Sequence, residues 1–247
     1  MTEKILEENI RIVKEKIRLA CKAVGKREED VTLVAATKMN DAETVSAALR
    51  LGLDAAGENR VQELLEKYEQ HAYGDKPLHF IGTLQSNKVK YLIGKTALIQ
   101  SVSSLKLASV IGKEAGKRGK VQDVLLEVNI GEESSKSGFL SGEIAEAVEI
   151  CGRIPGICVK GLMTIPPKAY EKGENNRYFD KMYQLFVDIS SRKYDNVNMK
   201  YLSMGMSDDY EDAILHGANM VRVGTAIFGR RRYSEQNGSV GNKGLGG

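Results

Sequence analysis

The chain has only three cysteines, Cys21, Cys151 and Cys158, and no two of them form a CxxC pair. An odd number without that spacing fits reduced thiols, so neither a disulfide framework nor a metal site is expected, and a reducing cytosol is the expected compartment. Charge of one sign is also scarce, since 36 Lys and Arg face 33 Asp and Glu for a formal net of +3. Such a balance implies no nucleic-acid or membrane partner. Long hydrophobic runs are missing too. Nothing approaches the roughly 20 apolar residues that a bilayer-spanning helix needs. The opening segment 1–25 mixes acids and bases and lacks the apolar core of an export signal. A soluble, cytoplasmic protein is expected.

What is present is an ordinary globular composition: 247 residues, 42% hydrophobic and 28% charged, the size of one α/β barrel. Ile10, Val13, Ile17, Cys21 and Val24 recur at helical spacing before Gly25, which predicts an amphipathic opening helix. Short apolar runs at 31–37, 53–57, 78–82, 97–102, 121–130, 157–165, 199–204 and 218–224 follow. They alternate with helical patterns at 41–52, 59–70, 86–94, 104–119, 141–154, 176–193 and 207–217. This alternation means parallel strands joined by crossover helices, and eight units favour closure over an open sheet. The predicted fold is α/β: a single (β/α)8 TIM barrel over 1–232 with an extra N-terminal helix. From Ser234 onward only two apolar side chains lie among Gly, Ser and Asn. They are too few to offset the entropy of ordering the segment, so 233–247 is expected to be a disordered tail. Arg230, Arg231 and Arg232 read as a solvated helix end in preference to an anion contact.

In such a barrel the active site is built at the carboxyl ends of the strands. The first strand runs directly into Lys38, which sets a primary amine at or just inside the mouth. Desolvation there would lower its pKa and leave neutral amine to attack a carbonyl. Asn59 and Ser86 offer polar groups at the same mouth, with helix N-capping as the competing role for each. His79 fits a satisfied core histidine better than a catalytic one. The loops Ser203-Met204-Gly205-Met206-Ser207 and Gly224-Thr225 suit a phosphate, because glycine admits close backbone approach and hydroxyls and free N–H groups donate. Asp208, Asp209, Glu211 and Asp212 would repel that phosphate, which sets it nearer Ser203–Gly205 and the Gly224-Thr225 turn. Arg222 alternates with Val221 and Val223 and so points to the opposite face, into the mouth, where a cofactor ring nitrogen or an internal carboxylate would be its acceptor. Amine, phosphate grip and inward arginine describe a site for a phosphorylated aldehyde. Pyridoxal 5′-phosphate is the cofactor example; a sugar phosphate held by a Schiff-base aldolase is the alternative.

The motifs ATK at 36–38, GENRVQE at 57–63, HFIGTLQSNK at 79–88, SSKSGF at 134–139, GLMTI at 161–165, LSMGMSDDYEDAI at 202–214 and VRVGTAIFGRR at 221–231 resemble the pyridoxal phosphate homeostasis protein family. The fold of that family is similar to the barrel domain of alanine racemase. The resemblance implies that Lys38 carries pyridoxal 5′-phosphate as a Schiff base, that Arg222 faces the pyridine nitrogen, and that Ser203, Gly224 and Thr225 hold the phosphate. It also implies that Asn59 and Met204, with Gly205 in the same loop, lie near the cofactor. Thr37 and Met39-Asn40-Asp41 depart from the family, as do Ala56 and Arg60 beside the GEN motif.

Members of the family look like carriers or regulators in vitamin B6 homeostasis without established turnover. Racemisation needs an acid and a base on opposite faces of the substrate α-carbon, and here the barrel uses nearly the whole chain. No residue is therefore assigned a catalytic role. The competing functions are a slow racemase or lyase, with His79 or a tyrosine as the second base, and an interaction module to which the cofactor is incidental. The expected partners are pyridoxal 5′-phosphate and the apoenzymes that would receive it, with the chain a monomer or a weak homodimer.

Overall fold

A computed structural model describes residues 1–229; the expectations for Arg230–Arg232 and for 233–247 lie outside the described residues. Eight parallel strands close into a barrel in sequence order. They are β1 (Thr32–Ala36), β2 (Ala55–Glu58), β3 (Leu78–Phe80), β4 (Leu98–Val102), β5 (Gln122–Val128), β6 (Ile157–Thr164), β7 (Val197–Ser203) and β8 (Met220–Val223). Each lies within two residues of a predicted run. The outer layer is α1 (Glu3–Ala23), α2 (Ala42–Arg50), α3 (Val61–Glu69), α4 (Val89–Leu92), α5 (Leu105–Gly116), α6 (Ile144–Gly152), α7 (Asn176–Ser190), α8 (Tyr210–Leu215) and α9 (Thr225–Phe228). Among the described residues no helix is long and apolar enough to cross a membrane.

Strand alternation divides the core in two. Outward side chains join the helices in one large apolar layer, while Val34, Ala55, Leu98, Leu125, Met163 and Met220 form a separate plug inside the barrel. One step further toward the carboxyl ends the interior turns polar, with His79, Gln100, Ser203 and Arg222 all buried. An apolar floor under a polar storey sets the depth of the mouth.

The opening helix buries Leu6, Ile10, Val13, Ile17, Ala20 and Cys21. Val24, expected on that face, instead falls at the C-cap and is 38% exposed. Asn9 on α1 donates to the Ile227 carbonyl at 2.9 Å, tying down the short α9 that follows β8. The helix expected over 86–94 shrinks to a 3-10 turn (Ser86–Lys88) and a single α-turn, ended at Gly94 with φ 86°. Beside that short helix a cavity of about 470 Å³ opens between α3 and α4, lined in part by Asn59, Arg60, Phe80, Lys88 and Tyr91.

Candidate functional site

The ends of β1 and β8 lie side by side, with Val34 in register with Arg222 and Ala35 with Val223. A Cβ on Gly224 would stand 3.2 Å from the Ala36 carbonyl oxygen, a tight contact that glycine relieves where the β8 loop meets the end of β1. Val34 points into the barrel plug. The same alternation carries Ala36 and then Lys38 to the mouth side, and Lys38 is half-buried there.

Directly opposite, Ser207 Oγ accepts from the backbone N–H of Gly224 at 3.1 Å and of Ala226 at 3.3 Å. Both amides converge on that one hydroxyl oxygen where the first turn of α9 begins, so an oxyanion accepting from them would take the place of Ser207 Oγ. Thr225 lies between those two amides, with an exposed side chain. Gly205 crosses above α8 at φ 92°, where a Cβ would lie 2.6 Å from Ala213 Cβ and 2.9 Å from Tyr210 Cα. Only glycine fits that crossing. The acids after Ser207 are partly consumed locally, since Asp209 accepts from the Met206 amide at 2.7 Å and from Asn175 Nδ2 at 2.9 Å.

Arg222 sets the direction of a hydrogen-bonded chain across the barrel. A guanidinium can only donate. It gives one bond to Ser203 Oγ at 2.6 Å and another to the Thr164 carbonyl at 2.8 Å. Ser203 must then spend its own proton on Gln100 Oε1, 2.7 Å away. The Gln100 amide group consequently faces His79 Nδ1 at 2.9 Å, and that ring nitrogen accepts. His79 is thus neutral with its proton on Nε2, and burial pushes its pKa down to about 4. Burial also pulls Arg222 down to about 10, against the attraction of Glu127 and Asp209, so it stays charged at neutral pH. Glu127, two residues beyond Leu125 on β5, is pushed up to about 7 by burial, with Arg222 and the Ser137 hydroxyl opposing.

These positions revise several expectations. Ser203 is fully buried and its hydroxyl is committed to Arg222 and Gln100, so the serine beside the α9 amides is Ser207. The Met204 side chain packs in the outer core layer, because it alternates with inward Ser203; only its backbone, whose N–H donates to the Met220 carbonyl at 3.1 Å, borders the loop. Neither Asn59 nor Ser86 caps a helix: the N-cap of α3 is Arg60 and that of the 3-10 turn is Gln85. Asn59 Oδ1 is buried with no hydrogen-bond partner, a vacant acceptor where its backbone packs against Gly82. Arg222 has neutral acceptors in place of a paired carboxylate.

Residues 4–232 match the family model for the alanine racemase N-terminal domain, and the chain belongs to this class of barrels. A pyridoxal phosphate homeostasis protein of Aquifex aeolicus is 44% identical over 226 residues, covering 92% of this chain and 98% of the relative. Within the class, then, the chain belongs to the pyridoxal phosphate homeostasis protein family. Among solved structures, an unknown protein from Bifidobacterium adolescentis superposes with a TM-score of 0.87 at 34% identity, covering 92% of this chain and 95% of that one. PipY of Synechococcus elongatus, solved with PLP bound, superposes at 0.74 with 27% identity, covering 86% of this chain and all of the other, 100%.

Proposed function

We propose that this protein binds pyridoxal 5′-phosphate at the barrel mouth, covalently on Lys38, and serves intracellular vitamin B6 homeostasis. The observation that carries the reading is the adjacency of β1 and β8: Lys38 follows the one, and the Gly224 and Ala226 amides, with Ser207, follow the other. The residues fit the cofactor. A glycine that a Cβ would crowd against Ala36 leaves room for the group, and the amides meet its phosphate. Asn59 Oδ1 and the buried charge of Arg222 are left for the ring. When bound, the cofactor supplies an aldehyde carbon that condenses with a primary amine, forming a C=N bond and releasing one water.

Lys38 provides that amine. Ser207, Gly224 and Thr225 hold the phosphate, with Gly205 shaping the loop and Met204 contributing through its backbone. Ser203 acts through Arg222, which it orients. Arg222 faces the pyridine nitrogen, where a fixed positive charge disfavours a proton on the ring. Partnership with apoenzymes, a monomeric or weakly dimeric state and a cytoplasmic location complete the reading; it is supported by free Cys21 and Cys151 in the buried core, which suit a reducing compartment.

The test is a visible-absorption titration of cofactor-free protein with pyridoxal 5′-phosphate and, in parallel, with pyridoxal. Wild type is expected to develop a yellow band that Lys38→Ala lacks, and to prefer the phosphorylated form. A colourless protein under saturating cofactor would overturn the proposal.

A further inference from the structure

We propose that Glu58, Glu63 and Lys67 form a positioning cluster behind Lys38, clamping the two peptide groups that flank it and so setting the direction in which its side chain leaves the barrel. The inference deepens the reading of Lys38 as the attachment site and rests on it.

Lys67 is a helix lysine that is only 4% exposed. Its ammonium group has three hydrogens and makes three bonds: to the Thr37 carbonyl at 2.8 Å, Glu58 Oε1 at 2.7 Å and Glu63 Oε1 at 2.9 Å. Glu58 is fully buried at the end of β2. It also accepts from Thr37 Oγ1 at 2.6 Å and from the Tyr73 hydroxyl at 3.1 Å. Glu63, one turn before Lys67, accepts from the backbone N–H of Met39. The peptide before Lys38 is therefore held through the Thr37 carbonyl, and the peptide after it through the Met39 amide. Asn40 Nδ2 adds a bond to the Lys38 carbonyl at 3.2 Å.

A helix-to-strand tie alone would need one ion pair. This cluster adds a backbone bond on either side of a single residue, next to Met39, which lies in the left-handed region at φ 64° and is 64% exposed. The tight turn closed by the Asn40 amide on the Thr37 carbonyl at 3.2 Å puts Met39 in that conformation, and the Glu63 bond to its amide braces it. A buried ion pair contributes little net stability and is often equalled by apolar packing. Fixing a reactive side chain gives it a use, because a lysine free to swivel at the mouth would meet the aldehyde in the right geometry for only part of the time.

The variant to make is Glu63→Ala, which frees the Met39 amide and leaves the Lys67 bonds to Glu58 and Thr37 in place. Glu63→Gln restores an acceptor without the charge. In cofactor-free protein, hydrogen exchange at the Met39 amide is expected to accelerate at least tenfold in Glu63→Ala and to return toward wild type in Glu63→Gln. Cofactor retention should weaken by about tenfold in the alanine variant, part of the roughly hundredfold that a 1 Å misplacement of a reacting group can cost. The same substitution in a Lys38→Ala background should leave residual cofactor binding unchanged, since the cluster acts through Lys38. Equal weakening in that background, or unchanged Met39 exchange and retention in Glu63→Ala, would overturn the proposal while wild type still attaches the cofactor to Lys38. Wild type that never attaches it there would overturn both this inference and the reading beneath it.

Discussion

Buried His79 and half-buried Glu127 at the barrel mouth should make stability respond to pH in opposite directions. His79 is held neutral, with its pKa pushed down to about 4 from an ordinary 6.5. As pH falls from 7 to 5 the unfolded chain takes up a proton that native His79 refuses, so stability is lost, by about 2 kcal/mol. Glu127 is raised to about 7 from an ordinary 4.5. Over the same interval the native state, already about half protonated at pH 7, completes its protonation while most of the unfolded population stays ionised, so stability is gained, again by about 2 kcal/mol. In wild type the two nearly cancel. Separate variants expose them: Glu127→Gln should lose stability from pH 7 to 5, and His79→Gln should gain it. Every other titrating group is common to both, so the two pH 7-to-5 changes should differ by about 4 kcal/mol. Urea melts at the two pH values in 0.15 M salt measure it. Indistinguishable pH responses would refute the assignment of a neutral, Gln100-bonded histidine and of a partly buried acid at Glu127.

Other outcomes follow from the phosphate loops and the histidine. Gly205→Ala should destabilise the protein by about 3 kcal/mol, from a left-handed backbone and a Cβ forced onto Ala213; a urea midpoint unchanged from wild type would contradict the loop geometry. Ser207→Ala should narrow the preference for pyridoxal 5′-phosphate over pyridoxal by about tenfold, the value of one hydrogen bond to a charged group; an equal effect on both ligands would remove Ser207 from the phosphate grip. His79, committed to Gln100, should not act as a second base. Alanine incubated with the loaded protein in deuterated water should thus show no α-deuterium uptake that His79→Gln abolishes.

The barrel was readable because each strand is a short apolar run ended by Gly, Ser, Asn or Thr, and the helical patterns between them, α4 apart, are long enough for their period to show. The placement of Lys38, Gly224, Thr225 and Arg222 at the ends of β1 and β8 was readable for a related reason: the fold sends strand ends to one mouth. Finer placements depended on details that composition hides. The parity that turns Arg222 inward also turns Met204 outward once Ser203 faces in, a step the alternation could have supplied. Ser207 stood in the phosphate-like loop, but the acids after it drew the expected contact away, before their bonds within the loop were visible. Glu127 lay in a run read only as an apolar strand, although alternation with Leu125 marks it as inward. Asn59 and Ser86 had the right residue types for caps and missed by one position, the usual uncertainty of helix ends. Lys67 carried no signal, since a lysine in an amphipathic helix ordinarily reads as part of the solvated face.

The most direct test of the central claim is borohydride reduction of the cofactor-loaded protein followed by peptide mass mapping. One reduced pyridoxyl phosphate is expected on the peptide containing Lys38, and none in Lys38→Ala. Label on another lysine, or none on wild type, would contradict it.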